Sequence, residues 1–258
     1  MEASGRSWRQ PIGRVAGLAA AFIILLGCLN QGVGLAQGSP ATQDSANQDR
    51  DLVKMRIYTD MPQAQAGVFD LKKKVAVIEP PQGHVEILTK ESVLTAKKVI
   101  YNQSDDTAEL SGDVTVTQKD VHAKAANMRA DFGQEAYILE GDVYLKQQEV
   151  QEGGATETKL EVWSQWMQVG EGAKHVLARG EVHLIEPERE AWADELDYDD
   201  VEEIVTLTGD VRIETNDGNV LTGAKVVIDL SSDEAVMYGP TYAEFILESD
   251  SDTIQDAD

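Results

Sequence analysis

The residue types able to do chemistry are present in this chain, but not in the arrangements that do it. His84, His122, His175 and His183 contain no His-Glu-x-x-His pair, the spacing that brings two imidazoles and a general base to one zinc ion. Cys28 is the only cysteine, which removes intramolecular disulfides, cysteine-based zinc sites and Cys-x-x-Cys redox chemistry together. There is no Gly-x-x-x-x-Gly-Lys-(Ser/Thr) loop to cradle a phosphate and no Gly-x-Ser-x-Gly elbow to present a nucleophile. Asp113, Asp142, Glu181 and Asp210 form a regular acidic column, but the nonapeptide glycine-aspartate pattern of calcium β-rolls is missing, so the column reads as a solvated strand face. Trp163, Trp166 and Trp192 are candidates for contact with acyl chains or sugar rings, against a default of core or edge packing. The expectation is a protein with no catalytic residue, no metal and no cofactor.

The elements that carry these residues are constrained by composition. Of 258 residues, 22 are basic and 46 acidic, a formal charge of −24 that argues against nucleic-acid binding and favours neutral, cationic or hydrophobic partners. Apolar residues make up 42 %, enough for a sizeable interior.

Arg6, Arg9 and Arg14 precede an apolar run from Val15 to Leu26, and a small-residue stretch ends at Gly34-Leu35-Ala36. That order is a secretory signal, and a run of about a dozen residues is short of the roughly 20 that span a bilayer. Cleavage after Ala36 would place the mature protein in the periplasm. Two other fates stay open: lipidation of Cys28, which closes a Leu25-Leu26-Gly27-Cys28 box, and an uncleaved anchor. The expected organisation is a signal peptide over residues 1–36, a flexible linker over 37–51, a folded domain over 52–247 and an acidic tail over 248–258.

A repeat fills the folded domain. Gly-x-Val-x-apolar segments begin at Gly83, Gly112, Gly141, Gly180 and Gly209, and a degenerate copy begins at Gly239, at intervals of 29, 29, 39, 29 and 30. A polar insertion around Gln147 to Thr158 accounts for the long interval. Other columns keep the register: small residues at Ala96, Ala125, Ser164, Ala193 and Gly223, and apolar ones at Val99, Met128, Met167, Leu196 and Val226. Two residues before each glycine stand Leu110, Leu139, Ala178, Leu207 and Met237.

Each copy reads as two antiparallel strands, because apolar and polar residues alternate with a period of two around the glycine and turn residues flank the segment before it. The apolar parity switches between the small column and the next apolar column, which predicts a β-bulge or bend in the first strand of each unit. Stacked copies give an all-β, repeat-built, solenoid-like trough of two facing antiparallel sheets. Val99, Leu110, Val114, Met128, Leu139, Val143, Leu196, Leu207 and Val211 are its expected lining. Its ends need cover, and Val53 to Tyr58 at the start and Tyr242 to Leu247 at the finish are the candidate edge strands.

The pattern small-x-x-apolar-x-(Tyr or apolar)-Asp … Leu-x-Gly-Asp-Val-x-(Val or Ile), seen from Ala193 to Ile213 and from Ala96 to Val116, resembles the OstA-like repeat of the LptA family of lipopolysaccharide-export periplasmic proteins. The resemblance covers about residues 60 to 247. It implies a β-jellyroll, described as a V-shaped trough, that shields acyl chains of lipopolysaccharide or a related glycolipid. It also implies end-to-end joining with similar domains, LptC-like or LptD-like or another copy, between the two membranes. An LptC-like role stays open beside an LptA-like one. Two other classes also stay open: a structural β-solenoid scaffold that self-assembles without lipid, and a polysaccharide-active β-helix enzyme. The even spread of carboxylates speaks against the enzyme.

Overall fold

The computed structural model describes residues 54–61, 65–89, 92–118, 120–150, 155–170, 175–232 and 234–246. The expected signal segment with Cys28, the linker, Leu247 and the acidic tail lie outside the described residues. Six short strands open the domain: β1 (Lys54–Thr59), β2 (Gly67–Asp70), β3 (Val75–Ile78), β4 (Gly83–Leu88), β5 (Ser92–Ala96) and β6 (Lys98–Asn102). Eight long ones follow: β7 (Thr107–Gln118), β8 (Val121–Asp131), β9 (Ala136–Val150), β10 (Thr156–Gly170), β11 (His175–Glu186), β12 (Arg189–Asp199), β13 (Ile204–Thr215) and β14 (Val220–Asp229). The short β15 (Glu234–Tyr238) and β16 (Tyr242–Glu244) close it.

Hairpin chemistry sets this antiparallel order. The side-chain oxygens of Asp70, Asn102, Asp131, Asp199 and Asp229 each accept a backbone N–H two or three residues on, from Lys72, Ser104, Gln134, Val201 and Ser231 respectively. Lys74, Asp106, Glu135 and Glu203 then take positive φ before the next strand begins. The carboxyl of Asp229 is held below the ordinary carboxylate range by hydrogen bonds from Ser231 and Ser232. The insertion around Gln147 to Thr158 lengthens the β9–β10 hairpin, because β8 pairs with β9 only as far as Gln147.

The two expected layers are the two halves of a single hydrogen-bonded sheet of 16 strands. Each long strand crosses from one half to the other, at the repeat glycine in β7, β9, β11 and β13 and at the residue opposite it in β8, β10, β12 and β14. Ser111 faces Asn127 and Val114 faces Ala125, so Gly112 and Asp113 together oppose Ala126 alone. The same two-against-one mismatch recurs where Gly141-Asp142, Gly180-Glu181 and Gly209-Asp210 face Gln165, Asp194 and Ala224. The parity switch predicts a bulge or bend in the first strand of each unit, and the side-chain-free recurrent glycine allows the second strand to bend. The extra residue belongs to the second, glycine-bearing strand, and the parity switch seen in the first strand is that strand accommodating it.

Both residues of each Gly-acid pair have positive φ, 80° and 47° at Gly141 and Asp142. Glycine takes that conformation freely and aspartate tolerates it better than most residues, which suits Asp113, Asp142 and Asp210, while Glu181 takes the same φ as a glutamate. Asp113, Asp142, Glu181 and Asp210 are all exposed on the outside of the bend. At the finish, Pro240 follows Gly239 and the chain breaks into β15 and β16, which pair with opposite halves of β14.

The bend line therefore defines two arms. Arm A holds β2, β3, β6 and β15 with the halves of β7 to β14 next to the Asx turns; arm B holds β1, β4, β5 and β16 with the other halves. Alternate residues from both arms point inward and form one buried apolar cluster running from Ile78 to Leu230.

An alanine at Gly141 would have a strained φ and a Cβ only 2.9 Å from the Cβ of Ala126. Gly141→Ala is expected to lower stability by about 1–2 kcal/mol or more, read as a shift in the urea midpoint. Adding Ala126→Gly should recover the steric part and leave the backbone part.

Candidate functional site

The space between the arms is the one feature built by all copies of the repeat. In the first half of the trough, Leu94, Val116 and Val121 of arm B face Met128, Tyr137, Leu139, Met167 and Val169 of arm A across an apolar cleft. A smaller cleft follows between Leu184, Ala191 and Ile213 of arm B and Val205, Leu207 and Ile228 of arm A. Strand alternation dictates both: the inward row of each strand is apolar, so two bent strands facing each other leave only hydrocarbon between them.

All nine residues expected to line the trough are buried in the common apolar cluster. They divide by their distance from the cleft. Met128 and Leu139 border the larger cleft and Leu207 the smaller one. Val99, Leu110, Val114, Val143, Leu196 and Val211, each no more than 2 % exposed, pack where the arms meet. Leu94, Val116, Val121, Tyr137 and Val169 border the cleft and were not singled out by the sequence. The signal for them was the same alternation carried one step farther from the glycine.

Polar groups also reach the inner face. Gln118 and Ser92 border the larger cleft and Arg189 the smaller one. The side chain of Glu186 is 4 % exposed, and its Oε2 accepts a hydrogen bond from Arg189 Nε at 2.5 Å. Burial pushes the Glu186 carboxyl above the ordinary carboxylate range, against the opposing pull of Arg189.

The histidines and tryptophans lie elsewhere. His183 stacks between Trp163 and Trp192 at centroid distances of 5.2 and 5.0 Å, on the strand parity opposite to the buried Val182 and Leu184. Tyr144 continues this outer ladder at 5.1 Å from Trp163. The guanidinium of Arg179 lies 5.5 Å from the ring centre of Trp166. These tryptophans brace the outer faces and do not face the cleft. His84 stacks on Tyr58, His122 lies beside Thr117 and His175 beside Asp197. Among the described residues, no group of three or more His, Cys, Asp or Glu side chains is placed to hold a metal ion.

No curated protein matches this sequence. Among solved structures, the crystal structure of LptH from Pseudomonas aeruginosa, the LptA homologous periplasmic component of the conserved lipopolysaccharide transport device, matches at 14 % identity. That match covers 75 % of this chain and 96 % of the other with a TM-score of 0.22, too low an overlay to transfer any geometry. The family model described as LptA/(LptD N-terminal domain) LPS transport protein matches residues 63–158 and 164–234, the stretch over which the glycine bends recur. This chain belongs to that family of lipopolysaccharide transport proteins.

Proposed function

We propose that this protein is a non-enzymatic periplasmic bridge whose trough shields the acyl chains of lipopolysaccharide, or of a related glycolipid, on the way from the inner to the outer membrane. The observation that carries this reading is the apolar cleft lined from both arms. Burial is worth roughly 0.8 kcal/mol per CH₂, so a chain of about a dozen carbons gains up to about 10 kcal/mol in such a space compared with water. Successive repeats present chemically alike walls, so a chain can shift along the axis without crossing a specific barrier. With a formal charge of −24 on this chain, an anionic headgroup either stays outside the arms in solvent or is bridged to carboxylates by divalent cations.

Continuity of the path calls for partners at the ends. Large apolar side chains are exposed at the start, at Ile57, Val68 and Phe69, and at the finish, at Val236, Tyr242 and Phe245. We assign these edges to end-to-end docking with LptC-like or LptD-like domains, or with another copy.

A photo-crosslinking residue at Leu139 or Tyr137 is expected to capture lipid in cells. One at Thr115 or Arg212, on the outward parity of arm B, should capture several-fold less. Equal labelling on both faces would overturn the trough reading.

A further inference from the structure

One column of the repeat has no place in a purely apolar trough. Six residues after the repeat glycines Gly83, Gly112, Gly141, Gly180 and Gly209 stand Thr89, Gln118, Gln147, Glu186 and Thr215. They have the same inward parity as the valine two residues after the glycine, and they sit at the far edge of arm B. Register places them in one row across the sheet. Ser92 pairs with Gln118, Gln118 with Val121, Val121 with Gln147, and Gln147 with Leu160; farther on, Glu186 pairs with Arg189 and Arg189 with Thr215. With strands about 4.8 Å apart, Gln118, Gln147 and Glu186 recur about every 10 Å along the trough, separated by apolar Val121 and Leu160.

The end members serve their own hairpins: Thr89 Oγ1 bonds Ser92, and Thr215 Oγ1 accepts the Asn219 N–H. Of the middle three, Glu186 also serves its hairpin through Oε2, which accepts from Arg189 Nε, but its Oε1 does not. Gln118 Nε2, Gln147 Oε1 and Glu186 Oε1 are buried and have no hydrogen-bond partner among the described residues. Gln147 is 1 % exposed and Glu186 7 %. Leaving such an atom unmade costs about 1–3 kcal/mol, so three in one row of one repeat column are not incidental to packing.

We propose that this row is a hydrogen-bonding rail for the polar linkages by which acyl chains join their headgroup, while the cleft beside it takes the hydrocarbon. The inference rests on the acyl-chain reading and specifies its ligand. Gln147 and Glu186 offer acceptors, suited to an amide N–H or a hydroxyl, and Gln118 offers a donor, suited to a carbonyl. Of the three, Gln118 borders the larger cleft, while Gln147 and Glu186 line neither cleft and are buried. The spacing repeats, so a lipid can exchange one set of partners for the next as it advances. A lipid with plain hydrocarbon chains would find the same cleft but leave the rail unpaired.

The test is a matched pair of probes on the full chain: a glucosamine lipid carrying 3-hydroxyacyl amides, and the same lipid with alkyl ether chains of equal length. Wild type should bind the amide lipid about tenfold more tightly than the ether, one hydrogen bond's worth. Gln147→Met should lower the ratio several-fold and raise the thermal midpoint, because it removes an orphaned polar group. Gln118→Met is the second variant, read the same way. A wild-type ratio near one, or a ratio unchanged in both variants, overturns the rail and leaves the trough standing. Failure of wild type to bind either probe overturns the acyl-chain reading and the rail with it.

Discussion

Replacing Leu139 by Asp is expected to cost at least several kcal/mol, enough to unfold much of the protein at room temperature. Leu139 is 5 % exposed, stands two residues before a bend glycine and reaches the floor of the larger cleft among Met128, Met167 and Val169. Removing a buried leucine side chain costs about 2–5 kcal/mol. The carboxylate adds the penalty of a charge with no cation on the inner face nearby, or else it protonates and leaves a buried polar group. A domain of this class holds only about 5–15 kcal/mol in reserve. Urea unfolding measures the loss, with Thr115→Asp as the reference. Thr115 lies one residue from the inward row, where its hydroxyl bonds Thr95 at 2.6 Å, and its replacement should cost about 1 kcal/mol. If the two variants are equally mild, the cleft is wet and offers acyl chains little. If lipid raises the urea midpoint of wild type but not that of a surviving Leu139→Asp population, the floor of the cleft is where the lipid sits.

The fold was legible where physics repeats itself. A 29-residue interval with fixed small, apolar and glycine columns leaves little freedom: each copy had to be the same pair of strands, and the inward row had to be Leu110, Val114 and their equivalents. Which strand carries the bulge was not legible, because Ala125 and Met128 shift parity whether the extra residue is in their own strand or in the partner. The register decides it, since Gly112 and Asp113, both at positive φ, together oppose Ala126 alone. The cleft-bordering residues were partly hidden for another reason. Val116, Tyr137 and Val169 lie near the strand ends, where the columns vary in type, so alignment of copies does not mark them as it marks Leu139. Gln118 and Gln147 were hidden by their chemistry, since a polar residue at the end of an alternating strand reads as the start of a loop. The finishing edge is shorter than its sequence suggested: β16 stops at Glu244, and Phe245 and Ile246 are exposed beyond it. The Ile246 N–H is held by Asn219 Oδ1 and not by a neighbouring strand.

The protein is expected to associate end to end without a limiting size. Among the described residues, the open bent sheet has a free strand on each arm at each end: β2 and β1 at the start, β15 and β16 at the finish. The two ends differ in charge as well as position. Lys54, Arg56, Lys72, Lys73 and Lys74 cluster on or near the first strands, while Glu234 and Glu244 mark the last. Each end also carries exposed apolar surface, at Val68 and Phe69 of β2 and at Tyr238 of β15 and Tyr242 of β16. Like ends would bring like charges together, so the favoured contact is finish to start, a heterologous one that continues the trough and does not close. Mass should rise with concentration past a dimer, and added salt should weaken the contact. Lys54→Glu with Arg56→Glu blocks the start, and Phe245→Pro stiffens the finish just past β16; each should raise the dissociation constant at least tenfold while leaving the circular dichroism of the fold unchanged. Mixed together, the two blocked variants retain one good end each, so they should form a one-to-one pair and stop. A start-blocked variant that still dimerises with itself would mean a symmetric contact. A wild-type monomer at every concentration, inert toward a membrane-anchored domain of the same family, would remove the bridge.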